Sequence, residues 1–434
     1  MSPEFVGIVG FFVLLFLMVI GLPISVSMAI VGFVGFGLVA GFTSALRIIP
    51  LDMFSSIASY NLSVVSMFTL MGFFALHAGI GNRLYECAYK FFGHLPGGLA
   101  IASEGACAGF GAVCGSGPAT VATIGSIALP EMKRYKYQDS LATATVAAGG
   151  GLGLLIPPST TAIIYGILTE QSIGRLFIAG ISAGILLMLL YMAAIFIMTM
   201  RNPGLAPRGP KFTWKERMSS LRGGLLETII IFAVSVGGLS IGWFTPTEGG
   251  AIGAFSVLFV ALARRQLSWR KFTAALSDTA KTIGMAIFLV AAATLFGRFI
   301  AISKIPATIA AGMMGMDVPP YMAMLLILFI YLVAGCFIDA LPLIMLTVPI
   351  FFPIVLFLGY DPIWFGVIIV LVCVMGMITP PVGVNVYVAK AVAVNVSVET
   401  VFKGVWPFVL CQIVCILFCF FFPGFVLFLP NLLM

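Results

Sequence analysis

Apolar runs of about 20 residues, separated by short polar or glycine- and proline-rich punctuation, fill almost the whole chain. They predict an all-α polytopic membrane protein of about ten spans. Phe5 to Ile20 and Ile24 to Ala40 form a pair around Pro23, and the first 20 residues are read as a retained span because no basic start or small-residue cleavage site accompanies them. A span near Val64 to Ala78 follows, then Asn82 to His94, whose mixed aromatic and charged residues suit a helix at the membrane surface. Further continuous spans are expected at Phe177 to Met200, Thr228 to Trp243, Gly249 to Ala263, Lys281 to Ile300 and Val405 to about Phe428. Arg201 to Gly223 is the one long polar connection.

Four apolar stretches are interrupted. Gly97 to Met132 is cut at Gly111 to Pro118, and Tyr321 to Leu358 at Gly335 to Pro342. Each leaves two pieces too short to cross, so each predicts a re-entrant helical hairpin. Asp139 to about Glu170 contains GGGLGLLIPPS, Gly149 to Ser159, and Pro362 to Val394 contains MGMITPPVGVN, Met375 to Asn385. Glycines and paired prolines inside a membrane helix free backbone carbonyls and amides at bilayer depth. Carbonyls ending one half-helix suit a cation, and amides starting the next suit a carboxylate. Two such broken spans in corresponding positions point to the binding site of a secondary transporter.

The breaks repeat. An offset of 223 residues places Pro23 on Pro246, Pro96 on Pro319, Pro130 on Pro353, Pro157 on Pro380 and Pro158 on Pro381. Random placement gives about one coincidence or fewer. The chain is therefore expected to comprise two repeats, residues 1–211 and 212–434, each with one hairpin and one broken span. Five spans separate the hairpins, and an odd number inverts the second copy. If both hairpins are re-entrant, fifteen of the 22 Lys and Arg fall on one side, which marks that side as cytoplasmic and both termini as outside.

Composition narrows the chemistry. The chain is 61% hydrophobic and 9% charged, with a mean hydropathy of +1.18, and its net charge of +7 reads as topology, so no nucleic-acid partner is expected. The eight cysteines show no CxxC or nearby histidine and read as small packing residues. Only His77 and His94 are present, GSGPAT lacks the lysine of a phosphate loop, and no nucleophile, histidine and acid arrangement is visible; an enzyme is not expected.

Several side chains remain. Ser116 precedes Pro118 and is either a plain N-cap or an N-cap whose hydroxyl also faces substrate. Ser159, Thr160 and Thr161 open the half-helix after Pro158 and either cap it or help bind an anion; Asn385 holds the equivalent place in the second copy. Asp339 lies at the second hairpin tip, where an unpaired carboxylate costs about 2.5 to 3.5 kcal/mol, so a cation ligand is favoured over a simple cap. Arg298 and Glu104 are read as interfacial residues that snorkel.

FGAVCGSGPATVATIGSIALPEM (Phe110 to Met132), GGGLGLLIPPSTTAIIYG (Gly149 to Gly166), FTPTEGGAIGA (Phe244 to Ala254) and TPPVGVNVYV (Thr379 to Val388) resemble the large membrane subunit of tripartite ATP-independent periplasmic (TRAP) transporters. The resemblance extends over essentially the whole chain. It implies a bacterial inner-membrane symporter of organic acids such as C4-dicarboxylates or sialic acid, coupled to sodium ions and working by an elevator movement of the hairpin-bearing domain. Its implied partners are a small membrane subunit and a periplasmic substrate-binding protein. By resemblance, one sodium site takes Gly115, Ser116, Gly150, Gly153 and Pro157, and the other Gly335, Asp339, Thr379, Pro381 and Gly383. Substrate is assigned to Ser116, Ser159, Thr160 and Asn385. Where the family often has Ser-Gly-Ser-Ser at the first tip, this chain has Cys114, Gly115, Ser116 and Gly117. A stand-alone divalent-anion symporter with similar hairpins is the alternative reading, and a channel a third.

Overall fold

The computed structural model describes residues 2–308 and 319–434, and every element assigned in them is helical. Helices α1 (Pro3–Val19), α2 (Ile24–Ala40), α3 (Phe42–Ile57) and α4 (Leu62–His77) open the chain, and α5 (Ile80–Phe92) follows with one buried face. The first expected hairpin is α6 (Gly98–Cys114) and α7 (Gly117–Arg134). The first broken span is α8 (Asp139–Leu155) and α9 (Thr160–Thr169). After α10 (Ile173–Arg201) come α11 (Trp214–Ser240, including two π-helical stretches), α12 (Pro246–Ala263) and α13 (Trp269–Ile302). The second hairpin is α14 (Pro320–Gly335) and α15 (Ala340–Phe357), and the second broken span α16 (Pro362–Gly376) and α17 (Val384–Val392). The chain closes with α18 (Val398–Phe421) and α19 (Pro423–Leu433).

Two boundaries differ from the sequence reading. Helix α11 begins at Trp214, inside the stretch read as a polar connection. Thr213 and Glu216 start it with a capping box: the Glu216 carboxylate accepts from the Thr213 amide at 2.7 Å, and the Thr213 hydroxyl accepts from the Glu216 amide at 3.4 Å. The expected last span is not continuous. Pro423 has no amide to donate and disfavours a helical Phe422, so α18 stops at Phe421 and a separate helix follows.

Packing falls into an outer and an inner layer. Helix α13 lies against α2, α3 and α4, α12 against α4, and α1 against α2. Exposed aromatic and aliphatic side chains such as Phe12, Phe16, Phe54, Phe255 and Phe259 mark the lipid-facing side of this layer. Inside it, α8 contacts α6, α7, α17 and α18. Every residue from Leu141 to Leu155 and from Ile363 to Gly376 is buried, so the broken spans are the centre of the molecule. Small residues make that approach feasible: a side chain at Gly111 would meet the backbone of Gly153, and one at Gly404 the carbonyl of Ser140.

The interfacial, snorkelling position expected of Glu104 is not observed, whereas Arg298 keeps a half-exposed side chain near the end of its helix. Arg298, on α13, donates to Asp52 of α3 at 2.8 Å, because an acidic partner stands within reach on the adjacent helix. Glu104 is fully buried on α6; its carboxylate abuts Gly149, and neither oxygen has a hydrogen-bond partner among the described residues. The side chains of Tyr191 and Gln412, also fully buried, likewise lack partners there.

Candidate functional site

Each hairpin tip is stitched to the proline break of its own half. In the first half, α6 ends on Gly115, whose φ of +66° is a left-handed value that glycine adopts without a Cβ penalty. The Thr160 hydroxyl at the start of α9 donates to the Gly115 carbonyl at 3.1 Å. Gly150 and Gly153 of α8 let the α7 turn approach: a Cβ on either would lie 3.1 Å from the carbonyl of Gly117 or Ser116 respectively. In the second half, the Val382 amide donates to the Cys336 carbonyl at 3.3 Å, and Gly376 packs on the backbone of Gly335. The Pro157–Pro158 and Pro380–Pro381 peptide bonds are both cis.

The freed backbone groups differ in kind. Among the described residues, no hydrogen bond reaches the carbonyls of Ala112, Val113 or Cys114 ending α6, or those of Gly153 and Leu154 ending α8. Oxygens of this kind replace the hydration of a hard cation. Around the second break, Thr379 donates its hydroxyl to Met375 at 2.6 Å, which leaves its oxygen lone pairs free, and Gly383 takes a φ of +58° beside the Thr379 carbonyl. Pro381 lies in the same turn. The groups named in both halves are oxygens, the donors that suit a hard cation.

Three helix starts face one cavity of about 680 Å³. Ser116 caps α7, accepting from the Ala119 amide at 3.5 Å, and lines the cavity with Cys114 and Pro118. Thr160 and Thr161 line it from α9. Asp339 caps α15, accepting from the Ala340 amide at 2.9 Å, and lines it from the second hairpin. The outer layer closes the other side with Ser25 of α2, Thr69, Phe73 and Leu76 of α4, and Thr282, Phe288 and Leu289 of α13. Two of the lining hydroxyls, Thr69 and Thr161, are buried without a hydrogen-bond partner among the described residues.

Not every residue singled out from the sequence reaches this space. Ser159 is 2% exposed, accepts from the Ala162 amide at 3.2 Å and faces a small gap behind α9 together with Pro157. Asn385 is fully buried and donates to the Ala147 carbonyl at 3.2 Å, which ties the two broken spans together away from the cavity. The outer-layer lining was not foreseen, because α2, α4 and α13 are apolar on most faces and give no periodicity by which to orient them.

A family profile described as tripartite ATP-independent periplasmic transporter, DctM component, matches residues 11–425. The chain belongs to the DctM family. It is 36% identical over 388 residues to the C4-dicarboxylate TRAP transporter large permease protein DctM of Pseudomonas aeruginosa, covering 89% of this chain and 90% of that protein. It is 34% identical to the isethionate TRAP transporter permease protein DctMQ of Oleidesulfovibrio alaskensis, covering 97% of this chain and 66% of that protein. It is 29% identical to the sialic acid TRAP transporter large permease protein SiaM of Vibrio cholerae, covering 95% of each. The fold is similar to that of the Alcanivorax borkumensis YdaH transporter, with a TM-score of 0.61, 15% identity and 89% of each chain covered. As a DctM-family permease the chain is a multi-pass membrane transport protein, and the cavity between its hairpin tips is the place to seek its cargo.

Proposed function

We propose that this DctM-family chain is the transport subunit of a sodium-coupled, binding-protein-dependent importer of organic anions. The observation that carries the proposal is the meeting of two hairpin tips and two proline breaks, where unbonded carbonyls and capping oxygens lie beside a cavity fed by helix N-termini. Sodium ions are taken as cargo, one by the carbonyls of the first tip and break, the other by Asp339, Thr379 and the carbonyls around them. The substrate carboxylate lies at the starts of α7 and α9, where Ser116, Thr160 and Thr161 add hydroxyl donors to the backbone amides.

The division into outer and inner layers supports an elevator, in which the hairpins and broken spans carry the site past α2, α4 and α13. The 223-residue offset supports an inverted repeat, residues 1–211 against 212–434, and the basic connections support periplasmic termini in a bacterial inner membrane. A small membrane subunit and a periplasmic binding protein complete the importer. The relatives' names, which include C4-dicarboxylate, isethionate and sialic acid, support an organic-anion cargo.

Reconstitution tests the reading. Proteoliposomes containing this chain, the small subunit and the loaded binding protein take up substrate when an inward sodium gradient is imposed, and lose uptake when sodium is replaced by potassium or the binding protein is left out. Full uptake by the chain alone would favour a stand-alone symporter, and non-saturable flux would favour a channel.

A further inference from the structure

The cavity wall has an uneven distribution of charge. Among the described residues, none of the 23 that line it is Lys, Arg or His, and the one charged side chain is the carboxylate of Asp339. Polar contacts are confined to hydroxyls and helix starts, with Ser116, Thr160, Thr161 and Asp339 together on the inner layer. Opposite them stand Phe73, Leu76, Phe288, Leu289 and Met285, interspersed with the hydroxyls of Ser25, Thr69 and Thr282. The helix starts alone do not define a ligand; the unpartnered buried hydroxyls of Thr69 and Thr161 do, since a buried hydroxyl without a partner is costly unless a ligand supplies one.

We infer that the cavity selects an organic anion with a single carboxylate and an apolar body, an alkyl chain or aromatic ring, and discriminates against dicarboxylates. This rests on the carboxylate site proposed above. One carboxylate is met by the amides and hydroxyls of α7 and α9. A second at the far end of the molecule faces the carbon-rich wall of α2, α4 and α13, where the neutral hydroxyls of Ser25, Thr69 and Thr282 are the polar side chains and no cation stands to pair with it, and toward the second hairpin it meets the like charge of Asp339. A sodium ion beside Asp339 balances that residue's own charge and leaves none over. The volume, about 680 Å³, lies within the range of pockets that enclose a body larger than a short diacid. Phe73 and Phe288 supply the aromatic surfaces for it.

The test uses the full chain purified with its small subunit in nanodiscs, with octanoate, 3-phenylpropionate and succinate as probes. Binding is measured by calorimetry and thermal shift, in saturating sodium and in potassium. Sodium-dependent binding of octanoate or 3-phenylpropionate at least about tenfold tighter than succinate is expected. Succinate bound as tightly or more tightly overturns the single-carboxylate inference and leaves the sodium-coupled carboxylate site standing. No sodium-dependent response to any of the three overturns both.

A second arm reverses the selectivity. Thr282→Arg, or Ala286→Lys one turn along α13, places a cation on the outer wall, which otherwise carries none. Either is expected to improve succinate affinity about tenfold while octanoate gains nothing. No gain with both folded variants overturns the inference.

Discussion

Ser116 and Asp339 stand 223 residues apart, the spacing that relates the prolines of the two halves, and each caps the second helix of its hairpin while lining the same cavity. Corresponding positions thus carry a neutral hydroxyl in one half and a carboxylate in the other. The two hairpins hold an asymmetric pair of caps, and in the proposed transport cycle that asymmetry would separate a cation-binding role from an anion-binding one.

Asp339→Asn keeps the cap and its shape but removes the charge. The sodium concentration for half-maximal uptake by the complete complex should rise, with expression and folding close to wild type. An unaltered sodium titration in proteoliposomes would leave Asp339 as a helix cap alone.

Thr161 and Ser159 are close in sequence but face different surroundings, so their variants should separate. Thr161→Val preserves volume and removes the hydroxyl that lines the cavity. It should weaken substrate binding by about 1 to 3 kcal/mol, read as a raised KM for uptake at saturating sodium. Ser159→Ala removes an N-cap and should lower stability by about 0.5 to 2 kcal/mol with KM little changed. Equal KM effects from the two would contradict the placement of these side chains.

The proposed inversion of the two halves would put the turns after the two hairpins on opposite sides. In a version lacking the eight native cysteines, a cysteine at Lys136 should label from the cytoplasm and one at Tyr360 from the periplasm. Labelling of both from one side would remove the inversion.

Glu104 has no partner for either carboxylate oxygen among the described residues. Glu104→Gln is nearly isosteric and removes any need to bury a charge, so it should raise the melting temperature of the purified chain without lowering uptake. Lost uptake with intact folding would give this carboxyl a part in the transport cycle.

Much of this arrangement was legible in the sequence because glycine and proline act locally. Gly115, the Pro157–Pro158 pair and the Pro380–Pro381 pair interrupt helices wherever they fall, and the breaks lie where those residues predict. The same rule applied to Pro423 would have divided the last span, and the Thr213 and Glu216 capping box would have placed the start of α11. Side-chain direction was harder. Asn385, Ser159 and Glu104 lie on helices whose neighbours are apolar or small all round, so nothing in the linear pattern tells the cavity side from the packed side. The outer wall is set by tertiary approach: Gly72 of α4 comes so close to the first tip that a Cβ there would lie 2.7 Å from the Cys114 carbonyl, and its spacing from that tip in sequence carries no trace of this.

The cavity wall is divided between layers, with the three helix caps and starts on the inner one and most of the bulky carbon side chains on the outer one, beside the hydroxyls of Ser25, Thr69 and Thr282. For an evolving lineage this separates two problems that most binding sites must solve with the same side chains. Substitutions along Phe73, Leu76, Phe288 and Leu289 can change which body the protein accepts without disturbing the tips. A diet could thus diversify by drift on one surface while the hairpin tips and helix caps are inherited intact.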